Sequence, residues 1–292
     1  MTGPVAFRRA ESVEEACALL AEHEDARIVS GGTALAILMR QGLVRPELLI
    51  GVRHIPRLRE IEPDGVLRLG AGVPLRAVEH HPAIQERWPL VAETLRKVAT
   101  PRIRNMATIG GGLAHADPAQ DPPAMFVALD ARVLVASTSS ERTIPASEFF
   151  VDYYETSLDE GELVVGVEVP ALPRGSAGVF LKYTPRSVED CATVSAAAVV
   201  RLDADGVCQA ARLVLGAVGV VPVVVPVAEA LVGRPVVEAT ARAAAELARP
   251  LVDPVEDVRG SSDYKRDMAV VFGRRALLAA AQRAATSAPT RR

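Results

Sequence analysis

Hydrophobic and polar positions divide the chain into short helical and extended stretches from its start. Ser12-Val13-Glu14-Glu15 reads as a capping box, with Ser12 as N-cap and Glu15 at the third helical position. Val13, Ala16, Cys17 and Leu20 then recur at helical spacing, which predicts an amphipathic helix with one buried face. Apolar runs at Arg27–Val29 and Leu48–Val52 predict strands, and Leu35, Leu38 and Met39 between them mark a short helix to about Gln41. The opening segment, to about residue 55, is therefore a β-α-β-like unit. Beyond it the pattern predicts a strand over Val66–Gly70 and helices over Leu75–His81 and Leu90–Val98.

Pro122 and Pro123 open a further helix that runs through Ala124–Leu129, since a first turn tolerates proline. Strands at Arg132–Ala136 and Glu162–Val169 complete this half. Residues 170–178 hold two prolines and two glycines and mark a domain boundary. After it, Val179–Thr184, Thr193–Leu202 and Ala210–Val218 predict strands, the last two joined as a hairpin through Asp203-Ala204-Asp205-Gly206. Helical patterns follow at about 226–232 and 236–248 and over Asp263–Ala284. Strands followed by segregated helices give an α+β class to both halves. The divisions are 1–175 (parts 1–55 and 56–175), 176–286, and a tail at 287–292.

Charge and composition narrow the partners. With 33 Lys and Arg against 36 Asp and Glu, the formal charge is −3, so nucleic acid and anionic lipid are set aside. The most apolar run, Leu213 to Ala228, is interrupted by Gly216, Gly219, Pro222 and Pro226 and is too short to span a bilayer. No basic start followed by an apolar core appears, so a cytoplasmic location is expected. Cys17, Cys191 and Cys208 are odd in number and form no C-x-x-C pair, which leaves no iron–sulfur or zinc site on this chain. Cys17, on the apolar helical face, reads as a core thiol. His80 and His81 are adjacent and point apart on a helix, so they read as a surface helix end. Walker, Rossmann, nucleophile-elbow and H-E-x-x-H patterns are all absent. Neither catalytic residues nor a metal site are expected.

What remains is a pair of small-residue turns. Thr108-Ile109-Gly110-Gly111-Gly112 carries three consecutive glycines, which predicts positive φ and amides open to an anion. Ser30-Gly31-Gly32-Thr33 lies where a strand feeds a helix, a geometry that adds the helix dipole. Arg102 and Arg104, just before the second turn, read equally as anion ligands or as solvated loop charges. Asp117 and Asp121 suit ribityl or ribose hydroxyls, with helix capping as the competing reading. Two turns and two acids fit a nucleotide with both a diphosphate and a polyol, namely FAD.

The runs Val29-Ser30-Gly31-Gly32-Thr33, Ala107-Thr108-Ile109-Gly110-Gly111 and His115-Ala116-Asp117-Pro118, with Asp121, resemble the FAD-binding medium subunit of molybdenum hydroxylases, of the carbon monoxide dehydrogenase and xanthine dehydrogenase type. The likeness extends through Arg102-Ile103-Arg104-Asn105, Leu181-Lys182-Tyr183 with Arg186 and Asp190, and Tyr264-Lys265-Arg266. It implies a p-cresol-methylhydroxylase-type FAD domain of two subdomains followed by a smaller α+β domain. It also implies that Ser30, Gly31, Gly32, Thr33 and Ala34, with Thr108, Ile109, Gly110, Gly111 and Gly112, hold the diphosphate. Asp121 would bind the ribityl side, and Val164 and Lys182 would approach the flavin, where a lysine favours negative charge on the reduced ring. Ala34 and Gly112 depart from the resemblance, since Asp, Glu or Ser is frequent at the first position and Asn at the second.

The implied function is an electron-transfer flavoprotein subunit. Its partners would be a large subunit with the molybdenum cofactor and a small one with two [2Fe-2S] clusters. A quinone, dioxygen, NAD or another protein could each be the acceptor. A flavin-poor scaffold subunit and a free-standing flavin oxidase are the competing expectations.

Overall fold

The computed structural model describes residues 5–187 and 189–287. The expected tail at 287–292 falls outside them, apart from Ser287 as the last residue of a helix. Two parallel pairings build the opening unit: β1 (Ala6–Arg9) and β2 (Ala26–Val29) flank β3 (Leu48–Gly51). Helix α1 (Val13–Glu22) starts as its sequence predicts, with the Ser12 hydroxyl accepting from the Glu15 amide. Its buried Val13, Ala16 and Cys17 fix it to the sheet. Burial raises the Cys17 thiol to about 11, so it stays protonated, an inert core group. The second helix, α2 (Leu35–Arg40), buries none of its residues.

The next part is one antiparallel sheet with helices inserted between its strands. After β4 (Ile61–Asp64) and β5 (Val66–Gly70) come α3 (Leu75–Glu79), α4 (Pro82–Arg87), α5 (Pro89–Arg96), α6 (Pro101–Met106), α7 (Ile109–His115) and α8 (Asp121–Ala128). Strands β6 (Arg132–Ala136) and β7 (Glu141–Pro145), helix α9 (Ala146–Phe149) and the hairpin β8 (Phe150–Asp152) and β9 (Glu155–Thr156) precede β10 (Leu163–Pro170). The five long strands order as β4-β5-β10-β6-β7, so the last strand in sequence fills the centre. Central β10 is buried almost throughout, as a strand covered on both faces must be. The strands that the hydrophobic pattern misses are edges. Outermost β4 contains Pro63, outermost β7 is polar, and β1 is exposed at every position. These three carry no apolar alternation because between them only Ile144 is buried.

Residues beyond 175 form a second sheet, ordered β11 (Ser176–Tyr183), β12 (Val194–Leu202), β13 (Cys208–Gly216) and β14 (Val223–Val225). Helices α10 (Ala228–Leu231), α11 (Glu238–Glu246) and α12 (Ser262–Ser287) follow, and the hairpin at residues 203–206 is present. Both faces of this sheet are covered. Val194, Ala196 and Ala198 of β12 share a core with α11 and α12, whereas Ala197, with Phe180 and Val214, joins the core of the first part. Helices α8 and α5 are the elements it meets there. The seam between α8 and the second sheet is where charged groups from the two parts meet. Among the described residues no helix is long and apolar enough to cross a membrane.

Candidate functional site

Gly31 lies directly on the segment before Thr108. A Cβ on Gly31 would stand 2.0 Å from the Met106 carbonyl oxygen and 3.0 Å from Ala107 Cα. Two segments far apart in sequence therefore touch through backbone. Next to this contact Gly32 takes φ +67°, a left-handed conformation that an L side chain strains.

The two segments differ in what they offer. No acceptor among the described residues pairs with the N–H groups of Gly31, Gly32, Thr33, Ala34 or Leu35. The Ser30 hydroxyl is buried beside them with no partner. Such unspent donors at a half-buried turn could hold an anion. In the second segment, by contrast, Ile109 donates to Val73 O at 3.1 Å and Gly110 to Ala71 O at 2.8 Å. Gly111 donates to Thr108 Oγ1 at 3.3 Å and Gly112 to Thr108 O at 3.0 Å. The expectation of open amides and positive φ over Gly110–Gly112 is overturned: these residues form the first turn of α7, capped by Thr108. Gly110 is small because a Cβ there would meet the Ala71 side chain at 2.4 Å. Helices α2 and α7 are also short, so the dipole expected at these turns adds little, and an anion bound there would be held by the local amides.

Beyond α7 the chain reverses through Asp117, whose Oδ1 accepts from the Ala119 amide at 2.9 Å. Asp117 thus forms an Asx turn, the local bonding that competes with a ligand role. Asp121, the first residue of α8, is 4% exposed and accepts from Lys182 Nζ at 2.7 Å across the seam. Lys182 also donates to Lys97 O at 3.0 Å, and Lys97 Nζ donates to Phe180 O. Burial raises the Asp121 carboxyl to about 6, and Lys182 and Lys97 partly offset that rise. Its second oxygen, Oδ1, is buried without a partner. The Ser195 hydroxyl on the strand beside Lys182 is likewise unpartnered. Val164 is buried in the core at a β-bulge of β10.

Arg104 is a structural group. It is 6% exposed, its Nε lies 2.9 Å from Glu79 Oε2, and its Nη1 donates to Val98 O at 2.8 Å and Ala99 O at 2.9 Å. This clamp holds α6, and with it Met106 against Gly31. Arg102 is exposed. His80 caps the end of α3 and His81 starts α4. Sequence reasoning missed Glu79, Lys97 and Gln120, since a single polar residue without spacing partners carries no pattern. No cluster among the described residues could hold a metal ion.

Comparison with known proteins bears on the same two parts. A family model described as the FAD binding domain in molybdopterin dehydrogenase matches residues 3–172. One described as the CO dehydrogenase flavoprotein C-terminal domain matches residues 179–280. The chain is 34% identical over 284 residues to the carbon monoxide dehydrogenase medium chain of Hydrogenophaga pseudoflava, covering 96% of this chain and 98% of that one. It is 36% identical over 278 residues to subunit alpha of the 6-hydroxypseudooxynicotine dehydrogenase complex of Paenarthrobacter nicotinovorans, covering 94% of each. Its structure matches a chain of quinoline 2-oxidoreductase from Pseudomonas putida 86 with a TM-score of 0.92 and 34% identity, over 98% of this chain and 99% of that one.

Proposed function

The chain belongs to the family of FAD-binding medium subunits of molybdenum hydroxylases, and on that premise we propose how its own residues serve an electron-transfer complex. The amides of Gly31 to Leu35, with the Ser30 and Thr33 hydroxyls, hold the FAD diphosphate. Thr108 to Gly112 form the opposite wall, where the exposed Gly111 keeps side chains away from the cofactor. Asp117 and Asp121 accept from the polyol, and Val164 and Lys182 border the flavin. When bound, FAD supplies a carrier for one or two electrons, and the protein supplies orientation and electrostatics. Lys182 brings a buried positive charge that Asp121 holds in place, so added negative charge nearby is favoured.

The observation that carries this reading is the Gly31–Met106 contact, which sets a row of unspent amides against the second small-residue segment. The residues fit a dinucleotide: anion donors at one end, and at the other a buried carboxylate with a free lone-pair oxygen. In the complex, electrons arise at a molybdenum cofactor on a large subunit and pass two [2Fe-2S] clusters on a small one. They reach this chain and leave to an external acceptor. The same reading places the complex in the cytoplasm.

An absorbance spectrum of the purified chain tests the first half. Flavin bands at near one equivalent are expected, and their absence after reconstitution with FAD would leave only a flavin-poor scaffold. Co-purification with a cluster-bearing chain tests the second half, because a free-standing oxidase would purify alone.

A further inference from the structure

The amides of Ile109 to Gly112 are spent, so beyond the Thr108 amide any hold this segment has on a ligand must come from side chains. Gln120 is placed to provide one. It precedes α8 with an extended backbone (φ −73°, ψ 147°), and its amide donates to Asp117 O at 3.0 Å. Its side chain does not cap its own helix. It reaches back across α7 instead, with Oε1 3.3 Å from where a Cβ on Gly112 would stand.

Gly112 has ordinary helical backbone and no positive φ, so its conformation does not demand glycine. The missing side chain leaves the space that the Gln120 carboxamide enters. That carboxamide is half-buried, and none of its hydrogen-bonding groups has a partner among the described residues. The next residue, Asp121, presents the buried, unpartnered Oδ1. Two consecutive polar side chains with unspent bonding capacity thus flank a segment whose amides from Ile109 to Gly112 are spent. Buried polar groups are normally paired, so the Asp121 Oδ1 calls for a partner, and the accessible carboxamide beside it has its bonding groups free for the same ligand.

We propose that Gln120 is a cofactor-holding residue, its Nε2 donating to the diphosphate end of FAD in place of the amides that α7 has consumed. This rests on the FAD reading above. Gly112 and Gln120 then act as a unit, the first making room for the second. An amide side chain introduced at position 112 competes for the same space.

The test uses the full chain stripped of flavin and titrated with FAD, with the dissociation constant read from FAD fluorescence. Gln120→Ala is expected to weaken binding about tenfold, the size of one lost hydrogen bond to a charged group. Gln120→Glu should weaken it further, to roughly a hundredfold, because a carboxylate would face phosphate. Gly112→Asn alone should also weaken binding, whereas Gly112→Asn with Gln120→Ala should bind more tightly than either single variant. The melting temperature of the flavin-free chain should stay unchanged in Gln120→Ala, which a merely structural role would lower. Wild-type affinity in both Gln120 variants, or strictly additive losses in the double variant, would overturn the proposal. Failure of the wild-type chain itself to bind FAD would sink the flavoprotein reading instead.

Discussion

Ser30–Ala34 and Thr108–Gly112 look alike as sequence and do opposite things as structure. Both place small residues and a hydroxyl at the start of a short helix. In the first, backbone donors from Gly31 to Leu35 are unspent. In the second, every amide from Ile109 to Gly112 is spent on Ala71, Val73 or Thr108. The first is therefore free to serve as a backbone ligand. On the proposed reading the second is a wall that contributes Thr108, a bare surface at Gly111, and the side chains that follow at Gln120 and Asp121. Glycine serves both, for different reasons: a close approach to Met106 O at Gly31, and packing on Ala71 at Gly110. A glycine run shows that space is scarce, and only the neighbouring atoms show for what.

The largest effect should come from breaking the contact between the two. Gly31→Ala places a carbon 2.0 Å from a carbonyl oxygen, which only backbone movement relieves. FAD affinity should fall more than a hundredfold, a loss of about 2.7 kcal/mol or more, with a lowered melting temperature. Bound flavin at the wild-type level in this variant would separate the two segments functionally.

Asp121→Asn sharpens the side-chain half of the comparison through pH. Because burial lifts this acid to about 6 in the folded chain, its protonated form is favoured there relative to the unfolded chain. Its contribution is fully present below its unfolded value near 4 and is lost as pH rises through 6. The stability of the wild type relative to the variant should thus decline from pH 4 to about 7 and then level off. Parallel melting curves across that window would show that the carboxyl does not titrate there.

Gly111→Val tests the wall. A Cβ there meets only Thr108 Oγ1, at 2.9 Å, and faces outward. The expected result is roughly a tenfold loss of FAD with the C-terminal part still folded, as judged by circular dichroism and limited proteolysis. Full flavin retention would remove Gly111 from the site. The smallest effect should be that of Thr108→Ala, which deletes the cap on the Gly111 amide. About 1 kcal/mol of stability and a few-fold of FAD affinity should go, and a change in neither would make the cap dispensable.

Much of the fold was legible wherever burial imposes a period. The Ser12 capping box, the α1 face and the strands β5, β6, β10, β12 and β13 follow from apolar spacing. The 203–206 hairpin follows from its turn residues. The strands β1, β4 and β7 were not legible, because they bury almost no side chains and so need no apolar alternation. Helix α7 was hidden for another reason. Three glycines argue against a helix by propensity, and only the Thr108 cap and the Ala71 and Val73 carbonyls stabilise one there. The family was legible from several short motifs in order. The pairing of Asp121 with Lys182 was not, since those residues lie on different parts of the fold and meet only at the seam.

The amino-acid order by itself determined which residues are small, acidic or apolar, and so the elements, the family resemblance and the cofactor. Which of the two glycine segments keeps its amides free was decided in three dimensions. Ala71 and Val73, which consume the Gly110 and Ile109 amides, are distant in sequence, and no local pattern records them. The same holds for the room at Gly112 that Gln120 enters and for the charge that faces Asp121.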